Sequence, residues 1–476
     1  MSSALDAARE LAIRSLIERA PLASSLAAAF KDSGFKLALV GGPVRDAILG
    51  RLGNDLDFTT DARPADTKKI LNAWAEHVWD TGIEFGTIAG KRGDTTVEIT
   101  TYRSDKYDLD SRKPEVEFGD NIQGDLSRRD FTINAMALEL TGAKPEFIDI
   151  YNGVADLSAK VLRTPVSPEQ SFSDDPLRMM RAARFAAQLD FEVAADALKA
   201  MHEMADRLNI ISAERIRDEF IKLMLSDHPR KGISILVATG LADLILPEIP
   251  KLQLEIDEHH HHKDVYEHSL TVLEQAIALE ARLGGKNLVI RLAALLHDIG
   301  KPKTRALIPG GGVSFHHHEV VGARLAKERM RKLRFSNEVI EAVETLISLH
   351  LRFHGYGDGE WTDSAVRRYV RDAGELLTHL HVLTRADCTT RNQRKAERLA
   401  ATYDALEARI ERLAAEEELA AIRPDLDGSE VMELLKLKPS RQVGEALDFL
   451  LELRLEQGPL GKERATEELL KWWAAR

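Results

Sequence analysis

The sequence predicts an α+β chain, with a mixed sheet in front and helices alone behind. Between residues 35 and 150, short β-branched runs alternate with helical ones. Beyond about residue 155 strand signals nearly vanish, and one amphipathic helix follows another. With 476 residues, 44% hydrophobic and 30% charged, the chain is long enough for about three domains and too polar to lie in a membrane.

Residues 4–33 read as helix, which sets a first segment at 1–34. "FKLALV" (35–40) is a buried strand. Gly41 and Gly42 then turn into "PVRDAILG", a short helix with proline in its first turn and Gly50 near its end. A strand, two glycines and a helix start can bind an anion, because backbone N–H groups point outward and no side chain blocks a phosphate. Taken alone, a tight turn explains the pair as well.

"NDLDFTT" (54–60) is a second strand. Alternation puts Leu56 and Phe58 on one face and Asp55 and Asp57 on the other. Two unpaired carboxylates on one face repel each other, and a hard cation such as Mg²⁺ removes that cost. "TTVEITTYR" (95–103) repeats the pattern, with Val97 and Ile99 opposite Glu98 and Thr100. Glu98 then joins the aspartates, and three carboxylates on an open sheet face suit two-metal phosphoryl transfer.

"SRRDFTINAMAL" (127–138) reads as a helix start capped by Ser127 or Asp130. Arg128 and Arg129 would oppose the helix dipole there, so they need another partner, and a triphosphate is one. Asp130 and Asn134 would lie one turn apart on one face. "SDDPLRMMRAARF" (173–185) places Arg178, Arg181 and Arg184 in one stripe, with Met179, Met180, Ala183 and Phe185 opposite. A packed helix must aim that stripe at something. Asp175 and Arg178 offer an acceptor beside a fork of donors, which is what reading a base edge requires.

Further on, "LVIRLAALLHDIGKP" (288–302) is an apolar helix that stops at His297-Asp298. Upstream stands His268; downstream stand His318, His350 and Asp387. A junction falls at 244–264, a glycine-rich loop at 307–318 lies inside the helical part, and 419–430 breaks the helical pattern again; the segments expected are 35–150, 151–255, 256–405 and 406–476. His259 to His262, inside that junction, read as linker polarity. "RLAKERMRKLRF" (324–335) gathers Arg324, Lys327, Arg329, Arg331, Lys332 and Arg334, either as a solvated helix or as an RNA-backbone patch.

The net charge of −12 opposes a polyanionic partner overall, and only local patches overrule it. No apolar run reaches the roughly 18 residues of a membrane helix, and "MSSALDAARELAIRSL" does not read as an export signal. A single cysteine, Cys388, forms no internal disulfide. A reducing cytoplasm is the expected compartment. Oligomeric state is not indicated.

In this order and spacing, "LVGGPVRDAILGRLGNDLDFTT", "VEITTYRSD", "RRDFTINAMAL" and "DDPLRMMRAARF" resemble the class II CCA-adding tRNA nucleotidyltransferases and their relatives, the bacterial poly(A) polymerases. The resemblance spans roughly residues 35–250. It implies a palm-like nucleotidyltransferase head and a helical neck. Asp55 and Asp57 would hold Mg²⁺, with Glu98 as third carboxylate. Gly41, Gly42 and Arg45 would meet the triphosphate. Arg128, Arg129, Asp130 and Asn134 would contact phosphates and sugar. Asp175 and Arg178 would template the base, with Arg181 in support. The family's last motif usually begins with glutamate where this chain has Asp174.

The order H…HD…H…H…D is similar to the HD-superfamily metal phosphohydrolases, over roughly 262–400. It implies a first metal set of His268, His297, Asp298 and Asp387, and a second with His318 and His350. Imidazole ligands favour Mn²⁺, Ni²⁺ or Co²⁺. The chemistry so implied is attack of a tRNA 3′-hydroxyl on the α-phosphate of CTP or ATP, with pyrophosphate leaving. Two alternatives stand beside CCA addition: a poly(A) polymerase, and an HD phosphohydrolase with an RNA-binding head. The lack of an extended basic tail favours CCA addition.

Overall fold

The computed structural model describes residues 2–80, 82–106, 115–119, 121–253, 264–309, 312–353, 361–390, 392–417 and 423–476. The chain divides into two compact units, Met1–Pro247 and Glu248–Arg476. The run His259 to His262 lies outside the described residues.

The first unit begins with two helices rather than one, Ser2–Arg19 and Leu22–Asp32. Pro21 separates them, because a proline inside a helix removes a hydrogen bond and clashes with the preceding turn. Among the described residues nine strands follow in the head: β1 (Leu37–Val40), β2 (Asp55–Thr60), β3 (His77–Trp79), β4 (Thr87–Arg92), β5 (Thr95–Thr101), β6 (Arg103–Lys106), β7 (Glu115–Phe118), β8 (Ala137–Glu139) and β9 (Glu146–Ile148). Seven of them form one mixed sheet in the order β3-β4-β5-β2-β1-β8-β9, and β6 and β7 pair separately. Only β2 and β5 run parallel in the large sheet. Leu56, Phe58, Val97 and Ile99 are buried, so the opposite face of β2 and β5 carries the acidic residues.

The helical part of this unit centres on Leu177–Leu189, with Pro168–Asp174, Ala213–Met224 and Pro229–Ala238 packed around it. Met179, Met180, Ala183 and Phe185 are buried.

Among its described residues the second unit is helical apart from one short hairpin, Ala306–Leu307 with Val313–Ser314. Helices Val265–Ala278, Leu288–Leu296, His318–Lys332, Asn337–Leu349 and Leu377–Ala386 surround one core. Behind them, Gly428–Leu435, Arg441–Gln457 and Gly461–Ala474 share a smaller core built on Val431, Ala446, Leu450 and Leu469. Among the described residues no helix is long and apolar enough to cross a membrane.

Candidate active site and metal centre

In the head, register brings the acids together. Asp57 of β2 lies directly across from Glu98 of β5, and Asp55 sits two residues along on the same face. Asp57 is exposed on the sheet face, yet the protein atoms crowded around its carboxyl desolvate it and push its pKa up; Arg129 opposes the rise, and Glu98 and Asp55 add to it, leaving a pKa of about 6. This is a strip of negative charge with its repulsion only partly relieved, and hard divalent cations favour such oxygens. The trio is looser than a formed cage: among the described residues, only the second unit gathers three or more metal-type ligand atoms within 4.8 Å of one another.

Gly41 makes room beside the acids. Its φ is +74°, and a Cβ there would stand 2.9 Å from Arg129 Nη1 and 4.0 Å from Asp57 Oδ2. Any larger residue would strain the backbone and push that guanidinium away. Gly42 opens the helix Gly42–Ile48. Arg45 on that helix is buried, donating to Asn134 Oδ1 at 2.7 Å and to both oxygens of Asp46 at 3.0 Å.

The segment 127–138 differs from its expectation. A helix ends here rather than starts: Ile122–Ser127 is helical, Arg128 caps its C-terminus, and Thr132–Asn134 is one 3₁₀ turn before β8. Asn121 caps the start of this helix, its side-chain oxygen accepting from the Gly124 N–H at 2.8 Å, so the cap is neither Ser127 nor Asp130. Arg128 and Arg129 thus stand at the negative end of the helix dipole, where cations are favoured. Their direct anchor is Asp125, a residue sequence reasoning missed. Its fully buried carboxylate accepts from Arg128 Nε at 3.0 Å and Nη2 at 2.6 Å on one oxygen, and from Arg129 Nη2 at 3.1 Å on the other. A carboxylate one helical turn before an arginine pair was the available signal. Asp130 and Asn134 do meet, at 3.0 Å, through the turn rather than along a helix face.

The arginine stripe faces carboxylates and carbonyls. Arg181 Nε donates to Asp130 Oδ2 at 2.8 Å, and Arg184 Nε to Glu219 Oε2 at 2.6 Å. Burial opposes ionisation of Asp130, but Arg181 and Asn134 outweigh it and hold its pKa far below the ordinary value. Arg178 donates to the Ser171 hydroxyl at 2.8 Å and to the Arg128 carbonyl. Asp175 accepts from the Leu177 N–H at 3.1 Å and faces Arg215 Nη2 at 3.3 Å. Glu219, Ser171 and Arg215 lay outside the sequence motifs considered.

In the second unit all six sequence-selected ligands converge at helix ends. His297, His350 and Asp387 cap the C-termini of Leu288–Leu296, Asn337–Leu349 and Leu377–Ala386, where the dipole favours a cation. His268 lies in the first turn of its helix, and His318 opens its own. Each ring is pinned through Nδ1: His297 to Ala294 O (2.9 Å), His318 to Phe315 O (2.8 Å), His350 to Ile347 O (2.7 Å) and His268 to Thr389 Oγ1 (3.1 Å). Nδ1–H donation to a carbonyl leaves the Nε2 lone pair for a metal.

The ligands fall into two groups, His268, His297 and Asp387, and Asp298, His318 and His350. The expected assignment of Asp298 to the first group alone is too narrow. Its Oδ2 lies 3.2 Å from His297 Nε2 and 3.5 Å from His268 Nε2, whereas Oδ1 lies 3.2 Å from His318 Nε2. Asp298 Oδ1 and His318 Nε2 are buried without a hydrogen bond among the described residues. Orphaned buried donor–acceptor atoms of this kind fit a metal ion. Burial would lower the His297 pKa, yet Asp298 and Asp387 outweigh it and raise it to about 10. Gly300 permits the close approach: a Cβ there would fall 2.1 Å from His318 O. On the adjoining basic helix, Lys327 pairs with Glu344 and Arg329 with Glu248, while Arg324, Arg331 and Lys332 are exposed.

A mixed sheet that carries paired acids on one face beside anchored arginines is the arrangement of a nucleotidyltransferase head, and the second unit adds two histidine–aspartate groups with metal-ligand spacing. Comparison with known proteins agrees. Residues 37–163 match the poly A polymerase head domain, 190–252 the probable RNA and SrmB-binding site of polymerase A, and 265–392 the HD domain. The A-adding tRNA nucleotidyltransferase of Deinococcus radiodurans is 34% identical over 443 residues, covering 92% of this chain and 95% of that one. The CCA-adding enzyme of Lactobacillus helveticus is 41% identical over 214 residues, covering 45% of this chain and 52% of that one. The crystal structure of the Bacillus stearothermophilus CCA-adding enzyme in complex with CTP shares the fold, with a TM-score of 0.66 at 23% identity over 95% of this chain and 97% of that one. The chain belongs to the class II tRNA nucleotidyltransferase and poly(A) polymerase family and carries an HD domain.

Proposed function

We propose that the chain builds or repairs the 3′-terminal CCA of tRNA from CTP and ATP by magnesium-dependent nucleotidyl transfer. The observation that carries this reading is the register of Asp57 with Glu98, with Asp55 on the same face. Mg²⁺ held by Asp55 and Asp57 would activate the 3′-hydroxyl and stabilise charge on the phosphoryl oxygens. The chain's own groups do the rest. Arg45, Arg128 and Arg129 neutralise the triphosphate, Gly41 and Gly42 let it approach the backbone, and Asp130 and Asn134 meet the sugar.

Base choice follows from Asp175 and Arg178. Cytosine and adenine both present an exocyclic amine donor beside a ring-nitrogen acceptor; uracil and guanine present the reverse. One carboxylate acceptor and one guanidinium donor therefore admit CTP and ATP and refuse the other two. CTP in the Bacillus stearothermophilus complex fits this reading. The test is incubation with tRNA lacking CCA, Mg²⁺ and labelled CTP and ATP. Addition of two cytidines and one adenosine is expected, and an intact protein that incorporates no label ends the proposal.

A second reading has one observation behind it: a relative that aligns over nearly the whole chain, the Deinococcus radiodurans enzyme, is A-adding. On that reading ATP alone is added, to tRNA that already ends in CC. Incorporation from ATP onto tRNA-CC, with none from CTP onto tRNA lacking CCA, would select it.

In the HD domain, His268, His297 and Asp387 would hold one divalent ion, and His318 and His350 a second, with Asp298 between them. Mn²⁺, Ni²⁺ and Co²⁺ suit these ligands, and a phosphoesterase is the activity they support. Hydrolysis of bis(p-nitrophenyl) phosphate that depends on one of these ions and vanishes in His297→Ala tests it. The cytoplasm, where tRNA and nucleotides are found together, is the compartment this function implies.

A further inference from the structure

We propose that Ser171 and Arg215 are positioning residues for base selection, locking Arg178 and Asp175 in the geometry that separates CTP and ATP from UTP and GTP. The inference rests on the base-reading role proposed for that pair.

Discrimination by one donor and one acceptor requires both to be fixed. A carboxylate free to rotate, or a guanidinium free to tilt, finds some hydrogen bond on any base. The structure shows how each is held. Arg178 is 6% exposed, and its guanidinium carries five N–H groups. Both hydrogens of Nη1 go to Ser171, one to the hydroxyl at 2.8 Å and one to the carbonyl at 3.2 Å. Nη2 gives one to the Arg128 carbonyl. Among the described residues, that leaves Nε–H and one Nη2–H for a ligand. The guanidinium plane is thus set by acceptors on two different segments, and Ser171, with 0% exposure, supplies the one that a side-chain change can remove.

Asp174 stands where the family usually has glutamate, and it accepts from Gln170 Nε2 at 2.7 Å. Ser171 is the residue of this helix that bonds to Arg178. Its helix, Pro168–Asp174, is itself fixed at the start by Ser167, which accepts from the Gln170 N–H.

Asp175 is held in the same two-sided way. Oδ1 accepts from the Leu177 backbone at 3.1 Å, and Oδ2 faces Arg215 Nη2 at 3.3 Å. Arg215 comes from another helix, Ala213–Met224, capped by Ser212. A carboxylate oxygen has a second lone pair, so Oδ2 can keep Arg215 while accepting a base amine. Arg215 then decides which way that lone pair points.

The experiment compares wild-type protein with Ser171→Ala, Arg215→Gln and Arg215→Lys. Titration calorimetry gives binding of CTP, ATP, UTP and GTP in Mg²⁺, and primer extension on tRNA lacking CCA and tRNA ending in CC gives kcat and KM for each nucleotide. Thermal melting checks folding. The expected result is a fall of at least ten-fold in preference for the cognate nucleotide over UTP in Ser171→Ala and Arg215→Gln, with partial recovery in Arg215→Lys. A purely structural role would weaken all four nucleotides by one common factor, and that result, like an unchanged preference, overturns the inference alone. A folded wild-type protein that binds or adds no nucleotide overturns the proposed function, and this inference with it.

Discussion

Asp125→Asn probes the electrostatics of the head most sharply, because one buried carboxylate holds two arginines. Asp125 has 0% exposure, whereas the Arg128 and Arg129 side chains retain 17% and 18%. Asparagine keeps one oxygen for Arg128 but sets an amide donor against Arg129, leaving like-polarity groups in contact. Removing one partner of a buried pair costs roughly 3–5 kcal/mol. Water reaching the arginines offsets part of this, so about 3 kcal/mol is expected, a large share of the stability of a typical domain. Burial would raise the Asp125 pKa, but the arginines outweigh it and hold it below the ordinary value. A depressed carboxylate stabilises the fold above its unfolded pKa of about 4, and that contribution is lost as pH falls through the lowered folded value. The difference between wild type and variant should therefore be full at pH 7 and shrink in strong acid. Urea unfolding measures it, and steady-state kinetics should show KM for the nucleotide rising about ten-fold or more as the arginines lose their anchor. An unchanged urea midpoint together with an unchanged KM would refute the reasoning.

Mg²⁺ should raise the melting temperature more at pH 7.5 than at pH 5. With its pKa raised to about 6, Asp57 is mostly protonated at pH 5 and repels Glu98 only once ionised; Asp57→Asn should abolish the difference, and an equal shift at both pH values would contradict it. His297→Ala should remove bound transition metal, read by elemental analysis, while leaving nucleotide addition within about two-fold of wild type; simultaneous loss of both activities would show that the centres are not independent. Gly300→Ala drives a Cβ to 2.1 Å from His318 O and 2.7 Å from Gly322 N. It should cost about 3 kcal/mol or more in folding stability and weaken metal retention, whereas a variant that melts and binds metal like wild type would refute that packing argument.

The acid strip was legible in the sequence because strand alternation is local: Leu56 and Phe58 must face inward, so Asp55 and Asp57 face out. The pairing of β2 with β5 was readable only through the matching apolar faces, and the register that opposes Asp57 to Glu98 is a tertiary fact. The stretch around Arg128 was misread because its apolar residues suit a 3₁₀ turn entering a strand as well as they suit a helix. That error also reversed the dipole argument for the arginines. Asp125 stands one helical turn before Arg128 and Arg129, a spacing that was there to be read once the helix was placed upstream of them; Glu219 and Arg215 come from a helix that meets Arg184 and Asp175 only after folding, so no spacing rule could join them. In the HD domain the ligand order was legible through its resemblance to the HD-superfamily metal phosphohydrolases. The way Asp298 divides its oxygens between two groups was not, since it depends on Gly300 closing against the helix His318–Lys332.

The central claim is that the Asp55–Asp57–Glu98 strip drives nucleotide addition. Single-turnover transfer from labelled ATP to tRNA ending in CC, in Mg²⁺, tests it most directly with wild type, Asp57→Ala and His297→Ala side by side. Loss of an essential electrostatic group predicts a fall of about a hundred-fold or more in Asp57→Ala, with His297→Ala near the wild-type rate. Transfer at the wild-type rate by a folded Asp57→Ala protein would contradict the account.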